Sequence, residues 1–159
     1  MKRLLALAFV LSLAACSKSP AAPIVNVPPD FGKTTSVAFT GGTVTAKIAA
    51  TAAARDTGLM YVTALAADAG MLFVFGVDHS APDGFWMLNT PLPLSVAFID
   101  AGKVVINIDD MAPNTTTPHY STRPYRYALE VNQGWFATHG VTAGTAVTFS
   151  LPAGTVIDP

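Results

Sequence analysis

The apolar segments of this chain are short, and glycine or proline residues lie between them. The run Gly70–Phe75 is continuously apolar but is followed by Gly76, so it has the length of a buried strand and is too short for a buried helix. Residues Val44–Ile48 alternate apolar and polar side chains, which is the pattern of a strand with one buried face. These segments predict a fold that consists mainly of β-sheet.

Turn and cap residues indicate how the predicted elements are connected. Gly41-Gly42 and Ala101-Gly102 each lie between two predicted strands, where a hairpin turn is expected, and Gly102 is expected to supply a positive φ. Thr51 is a suitable helix N-cap, and Gly58 is a suitable residue for the end of that helix. Hairpins of this kind favour antiparallel pairing.

The sequence therefore predicts an α+β fold, mainly antiparallel β, in the form of a compact, small barrel-like sheet. It has about seven strands and two short helices, and we find no internal repeat. Asn132 is expected to cap the second helix, which ends at Gly140. Eight segments are candidates for these strands: Val37–Phe39, Val44–Ile48, Gly70–Phe75, Phe85–Thr90, Leu94–Asp100, Lys103–Asp109, Tyr125–Val131 and Thr145–Leu151. The helices are expected at Ala52–Thr57 and Asn132–His139.

The N-terminus has the pattern of a secretory signal. Two basic residues, Lys2 and Arg3, precede the apolar run Leu4–Leu13, and small residues follow. The run is shorter than the roughly 20 apolar residues that a membrane-spanning helix needs. No later segment is long and apolar enough to cross a bilayer either, so we expect an exported domain.

The end of this signal, Leu13–Cys16, resembles the bacterial lipobox, in which the cysteine thiol is acylated and the chain is cut before it. The alternative is an ordinary signal peptide that contains a cysteine. Cys16 is the chain's single cysteine and is the expected lipidation site. Ser17 follows it, and lipoproteins without aspartate at that position resemble those of the outer membrane. The expected location is therefore the cell envelope, lipid-anchored at the periplasmic face of the outer membrane.

Three segments follow from this interpretation. Residues 1–15 are the lipoprotein signal peptide, residues 16–36 are a proline-rich tether and residues 37–159 are a single globular domain. Cleavage would remove two of nine basic residues and leave seven against ten acidic ones, a net charge of −3. This balance provides no basic surface for nucleic acid or for anionic lipid headgroups, so we expect the lipid anchor alone to hold the protein on the membrane.

Several motifs of the chain resemble one widespread bacterial and archaeal family, the domain of unknown function 192. The resemblance extends from about Val44 to Phe149 and implies a compact, β-rich domain that is often exported. It implies no established activity. The matching segments are Gly58-Leu59-Met60, Gly70–Phe75, Phe85-Trp86-Met87, Asn89-Thr90, Pro93-Leu94 and Ala128–Val131.

The chain departs from the pattern of this family at three charged positions. The resemblance implies Arg, Lys and Asp where this sequence has Val62, Leu88 and Ser95. We hypothesise that the three positions belong to one shared site, and that the site has become apolar here. Such a groove would hold a small neutral or apolar ligand or an envelope protein rather than an anion.

If Phe85–Thr90 is a strand, Trp86, Leu88 and Thr90 share one face of it. An exposed Trp86 beside Leu88 would form a stacking surface for a ligand; the alternative is that Trp86 packs under a loop as part of the core. The candidate groove residues are Met60, Val62, Trp86, Leu88, Asn89, Thr90 and Glu130.

The sequence contains few signals of catalysis. Asn89 precedes Thr90-Pro91 and is expected either to bond the backbone of a turn or to contact a ligand. Glu130 alternates with apolar neighbours and is expected to lie on a solvated face or to cap the next helix. The methionine and histidine residues are scattered, so no metal and no cofactor are expected.

The leading interpretation is a non-enzymatic binding module of unknown activity that is anchored to the membrane. The alternatives are an enzyme of unknown reaction that uses Asn89 and Glu130, and a structural protein of the envelope. Catalysis would require the two polar groups to converge in one pocket.

Overall fold

A six-stranded sheet forms the centre of the protein in a computed structural model, which describes residues 32–79 and 84–159. One short helix lies between the second and third strands, and another follows the last strand. In chain order the elements are β1 (Thr34–Phe39), β2 (Gly42–Ala49), α1 (Ala52–Thr57), β3 (Ala69–His79), β4 (Leu94–Ile99), β5 (Val105–Met111), β6 (Tyr125–Asn132) and α2 (Trp135–Thr138).

The strands lie in the order β1-β2-β3-β6-β4-β5. Every neighbouring pair is antiparallel except β2 and β3, which are parallel. A parallel pair cannot be joined by a tight turn, and the connection between these two strands contains α1. The predicted antiparallel α+β class is confirmed, but the barrel-like closure and the seventh strand are wrong, because the sheet is open and has six strands.

The predicted strand Phe85–Thr90 is one source of this difference. Phe85 makes a single bridge to His119, and the chain then turns. Asn89 adopts a φ of 54°, a left-handed conformation that Asn tolerates better than most residues and that ends an extended strand. The alternation of faces therefore fails after Met87.

The predicted strand Thr145–Leu151 is the other source. This segment reaches both edges of the sheet but pairs with each at only one position, through Thr148 with Ala38 and through Ala146 with Val104. Two isolated bridges do not make a strand, and the sheet stays open.

The ends of the helices follow the sequence in part. The Thr51 hydroxyl accepts a hydrogen bond from the Ala54 amide at 3.3 Å, and Gly58 ends α1 with a φ of 49°. Asn132, predicted to cap α2, instead belongs to β6. Its side chain donates to backbone carbonyls of residues 65–67, and Gly134 precedes the helix.

The hairpin between β4 and β5 exists, but Gly102 does not supply its positive φ. Lys103 does, with a φ of 60°. The turn is held by the Asp100 carboxylate, which accepts a hydrogen bond from the Val104 amide at 2.9 Å. A local side-chain bond of this type stabilises a turn without requiring glycine at its centre.

An apolar layer covers each face of the sheet. The first layer contains Leu72 and Val74 of β3 together with α2, and the second layer contains Met71 and Phe73 with residues near α1. Side chains of one strand alternate between the two layers because successive residues point to opposite faces. Both faces of β3 are thus buried along most of the run that the sequence predicted as a buried strand.

The described residues include the predicted globular domain apart from residues 80–83, and the last residues of the predicted tether. β1 begins at Thr34, a few residues before the predicted start of the domain at Val37. The predicted signal peptide and Cys16 lie outside the described residues. Within residues 32–79 and 84–159, none of the helices has the length and hydropathy of a membrane span.

Candidate functional site

A cavity of about 700 Å³ opens on the second-layer face of the sheet. Its wall is formed by residues of α1, β3 and β6. Residues from the segments that precede β4 and β6 complete it. The lining side chains include Arg55, Asp56, Met60, Phe73, Phe75, His79, Phe85, Trp86, Thr90, Tyr120, Tyr125 and Glu130.

Aromatic rings make up much of this wall. Phe73 and Phe85 meet edge to face with centroids 4.9 Å apart, and Phe75 meets Tyr125 in the same way at 5.3 Å. These contacts are in the range favoured by the ring quadrupoles, so they hold the rings in fixed orientations. Trp86 is about half exposed, at 53%, and completes the wall from the solvent side.

Glu130 is an ionisable residue that is buried at the wall of the cavity. It lies on β6 between Leu129 and Val131, whose side chains belong to the first layer, so its own side chain points to the second layer. Its register partners are Met71 on β3 and Val96 on β4, both fully buried. Glu130 itself is 5% exposed.

No side-chain hydrogen bond or ion pair joins Glu130 to another described residue, and its side chain lines the cavity. No fully buried side-chain nitrogen or oxygen of the described residues lacks a partner, so the carboxyl oxygens keep contact with solvent through the cavity. Burial raises its pKa from 4.5 to about 8, because the charged form loses its hydration. The carboxyl is therefore protonated at neutral pH and can both donate and accept a hydrogen bond. The predicted position of Glu130 on a solvated face or at a helix cap is wrong, since apolar strands flank it on both sides.

Arg55 is the cation of the wall, and the backbone occupies its donors. Its Nη1 atom donates to the carbonyls of Ala50 at 2.6 Å and Val74 at 3.0 Å. Its Nη2 atom donates to the carbonyl of Pro159 at 3.1 Å. The guanidinium carbon lies 4.9 Å from the centroid of the Phe75 ring, so this aromatic surface already holds one cation.

The structure brings together four of the seven predicted groove residues. Met60, Trp86, Thr90 and Glu130 line the cavity. Of the two alternatives left open for Trp86, the structure has the exposed one, and Leu88 is exposed as expected. Thr90 is buried, because the strand expected there does not form.

Asn89 lies in a different, smaller pocket. Its Nδ2 atom donates to the Tyr61 hydroxyl at 2.9 Å, and its backbone carbonyl accepts from the Tyr61 backbone amide at 2.8 Å. Asn89 and Glu130 therefore do not converge on one cavity, as an active site built from this pair would require.

The three positions that depart from the family pattern do not form one site. Leu88 is exposed at 37%, whereas Val62 packs against the second layer. Ser95 points to the first-layer face, where its hydroxyl donates to Asp110 at 2.5 Å and accepts from the Gly134 amide at 3.0 Å. The hypothesis of a shared site is wrong, since Ser95 alternates with two second-layer residues and so faces the opposite side of the sheet.

Sequence reasoning missed the aromatic side chains that line the cavity together with Glu130. Phe73 and Phe75 lie within the run predicted as a buried strand, and their alternate spacing places both on one face. The information that was missing is the pairing of β3 with β6, which sets Met71 opposite Glu130. Without that register, the sequence does not show which side of the strand meets the glutamate.

Within residues 32–79 and 84–159, no three His, Cys, Asp or Glu side chains lie close enough together to hold a metal ion. Met71 and Met87 are fully buried in the second layer, where they fill space between the aromatic rings.

The class of protein to which this fold belongs is defined by a sequence family. The family model for the domain of unknown function 192, described as an uncharacterised ACR, matches residues 35–149. The chain belongs to this family. Among curated proteins, none matches the chain.

Two solved structures are similar to this chain. One is described as "a putative transcription regulator" from Sinorhizobium meliloti 1021, with 31% identity and a TM-score of 0.67 over 73% of this chain and 92% of the other. The second is a protein of unknown function from Novosphingobium aromaticivorans DSM 12444, with 31% identity and a TM-score of 0.66 over 88% of this chain and 99% of the other.

Proposed function

We propose that the protein is a lipid-anchored binding module of the cell envelope that takes a small, partly aromatic ligand into the cavity above Glu130. One observation carries this proposal. Glu130 is only 5% exposed as a residue, and its carboxyl lines the cavity without a protein partner among the described residues. Leaving a buried polar group unpaired costs free energy, and a bound ligand that pairs with it would remove this cost.

The dimensions and composition of the cavity support the same proposal. Its volume of about 700 Å³ falls in the range of small-molecule sites, roughly 300 to 1,000 Å³. Such sites combine an apolar or aromatic wall with a few polar groups that fix the orientation of the ligand. Here the aromatic rings form the wall and the Glu130 carboxyl is the orienting group.

The location is proposed from the sequence. The lipobox-like segment ending at Cys16 supports acylation, and three acyl chains would anchor the protein firmly, since one chain alone binds only marginally. The proline-rich residues 16–36 would act as a tether that separates the domain from the bilayer. We propose attachment at the periplasmic face of the outer membrane.

A thermal-shift screen of the purified full chain tests ligand binding. A compound that binds the native state raises the melting temperature. The panel contains aromatic amines, aromatic alcohols, sugars and short peptides. Met60→Trp fills part of the cavity and is expected to abolish the shift produced by a true cavity ligand.

Leu88→Trp is the matched control, because it adds the same ring at an exposed position outside the cavity wall. It should leave the shift unchanged. A compound that shifts the melting temperature equally in all three proteins binds elsewhere, and a panel without any shift would contradict the proposal.

An enzyme is the second candidate, and the protonated Glu130 is the observation that favours it. A carboxylic acid held neutral in an apolar site can act as a general acid. The separation of Asn89 from this cavity counts against the pair predicted from the sequence. Mass spectrometry of a bound compound distinguishes the candidates, since a binding module releases it unchanged and an enzyme converts it.

The Sinorhizobium protein is described as a putative transcription regulator, and we do not propose that role for this chain. The formal net charge is −1, and nucleic-acid-binding domains carry a basic patch that interacts with phosphates. We therefore propose no nucleic-acid partner.

A further inference from the structure

The cavity combines one carboxyl group with a wall of aromatic rings, and these two features select for the same chemical group in a ligand. The faces of Phe, Tyr and Trp rings attract cations, and a carboxylate is the strongest protein partner of an ammonium group. The rings of Phe73, Phe85, Trp86, Tyr120 and Tyr125 line the cavity together with Glu130. The Phe75 ring also lines it but already contacts the Arg55 guanidinium and the stacked His79 ring.

We propose that the ligand is an organic amine with an aromatic or apolar body, whose ammonium group binds the Glu130 carboxyl while its body lies between the rings. This inference rests on the proposed function, because it names the class of ligand for the same cavity. It differs from the neutral ligand predicted from the sequence, since Glu130 supplies a charge that positions 62, 88 and 95 lack.

Glu130 is the group proposed to bind the ammonium, and the other charged and titratable groups near the cavity are placed as follows. Arg55 donates to backbone carbonyls, and Asp56 is exposed on α1. His79 stacks on Phe75 at 4.5 Å between centroids. Among the wall residues that the structure describes, the remaining titratable side chains are the phenols of Tyr120 and Tyr125.

Two further charged residues share the face of the sheet with Glu130. Lys47 on β2 and Asp109 on β5 lie in the same row across the sheet, each two strands away from Glu130. At the usual strand spacing this is about 10 Å. Asp109 is paired with His119 at 3.5 Å.

Binding of an amine requires Glu130 to change its protonation state. The empty cavity holds a neutral carboxyl, and the ammonium group stabilises the carboxylate. One proton therefore passes from Glu130 to solvent for each amine bound, and no covalent bond forms or breaks in the ligand. Below the pKa of Glu130, the affinity for the amine should rise about tenfold for each unit of pH.

Three probes of similar shape test the proposal on the full chain: 2-phenylethylamine, 2-phenylethanol and phenylacetate. Binding is followed by two-dimensional NMR and by calorimetry in buffers that differ in ionisation enthalpy. We expect the amine to bind at least about tenfold more tightly than the alcohol, and phenylacetate to bind most weakly. We also expect the amine to release about one proton near pH 7.

Glu130→Gln should remove both the preference for the amine and the proton release. Its fold is checked by its melting temperature and by its NMR spectrum. Asp110→Asn is the control for general attraction by the protein's negative charge, because Asp110 is exposed and its partner Ser95 points to the opposite face of the sheet. It should change the affinity for the amine by less than about twofold. If the pH dependence and proton release survive in Glu130→Gln, a group other than Glu130 is responsible and the inference is wrong.

The possible failures of the two proposals can be told apart. Equal binding of the alcohol and the amine, blocked by Met60→Trp, would overturn the amine proposal and leave the binding module intact. If none of the probes binds at millimolar concentration and the wider thermal-shift panel also gives no hit, both proposals fail.

Discussion

Glu130 is the chain's single glutamate, and the fold places it among apolar side chains. Its neighbours across the sheet are Met71 and Val96, and aromatic rings line the same cavity as its side chain. Burial without a counter-charge accounts for its raised pKa of about 8. Ionisation of this residue destabilises the empty protein, because the buried carboxylate loses hydration without gaining a counter-charge.

Glu130→Gln should change the dependence of stability on pH. The unfolded chain ionises Glu130 above its ordinary pKa of 4.5, whereas the folded chain keeps the proton up to about 8. The free energy of unfolding should therefore fall across this interval, by on the order of 5 kcal/mol, and level off above it. The variant should lack this contribution, as measured by urea unfolding at pH values across the interval.

Asp56→Asn, at an exposed position of α1, provides the comparison and should keep the wild-type profile. If Glu130→Gln loses as much stability across the interval as the wild type does, the carboxyl is not the group that titrates.

Leu88→Lys tests the exposed surface beside Trp86. Leu88 is 37% exposed, so a lysine there can extend into water and should change the free energy of unfolding by less than about 0.5 kcal/mol. The adjacent Met87 is fully buried, and Met87→Lys should cost several kcal/mol through desolvation of the charge. Urea denaturation of both variants makes the comparison; similar losses in the two would place Leu88 in the core.

At the scale of the elements, local patterns predict the strands and tertiary contacts decide the rest. The sequence correctly predicts the first hairpin and the cap at Thr51, since both depend on adjacent residues. The turn of that hairpin is Thr40-Gly41, one residue before the predicted Gly41-Gly42, because Gly42 already pairs with Phe39. It places a strand at Phe85–Thr90 that the turn at Asn89 prevents. The parallel pairing of β2 with β3 is not visible in either strand alone, because it depends on where the crossover returns the chain.

Gly41→Ala tests how closely the first hairpin packs against the end of α2. A Cβ atom at position 41 would overlap the backbone carbonyl of His139, so the hairpin or the helix end must move. We expect a loss of about 1–3 kcal/mol in the free energy of unfolding.

Gly102→Ala is the matched substitution in the second hairpin. There the nearest atom to a new Cβ is the Asp100 side-chain oxygen, at 3.3 Å, and the backbone does not have the φ that requires glycine. A loss of less than about 1 kcal/mol is expected. Chemical denaturation of the two variants should rank Gly41→Ala as the more damaging, and the reverse order would contradict the packing described here.

At the scale of the whole molecule, the candidate site is a product of topology. The sheet order brings β6 between β3 and β4, and this arrangement surrounds Glu130 with side chains from strands far apart in the sequence. Sequence reasoning identified Glu130 and Trp86 as candidates from their own segments. It could not predict that Glu130 is buried or that Asn89 belongs to another pocket, because both facts follow from the register and the loops together.

Cys16→Ser tests the proposed anchor. Without the thiol no lipid can be attached, so the variant should appear in the soluble periplasmic fraction or remain as an unprocessed precursor, whereas the wild type should fractionate with membranes. Fractionation followed by mass spectrometry of the N-terminus makes the measurement. A cleaved, mature Cys16→Ser protein in the membrane fraction would show that something other than acylation holds it there.

The most direct measurement is a pH titration of the Glu130 side-chain carboxyl carbon by NMR in the full chain. Because Glu130 is the one glutamate, selective ¹³C labelling gives a single signal that needs no assignment. A buried, unpartnered carboxyl facing the cavity predicts a midpoint near pH 8. A midpoint near the ordinary glutamate value of 4.5 would show that the carboxyl is solvated or paired, and would contradict the site described here.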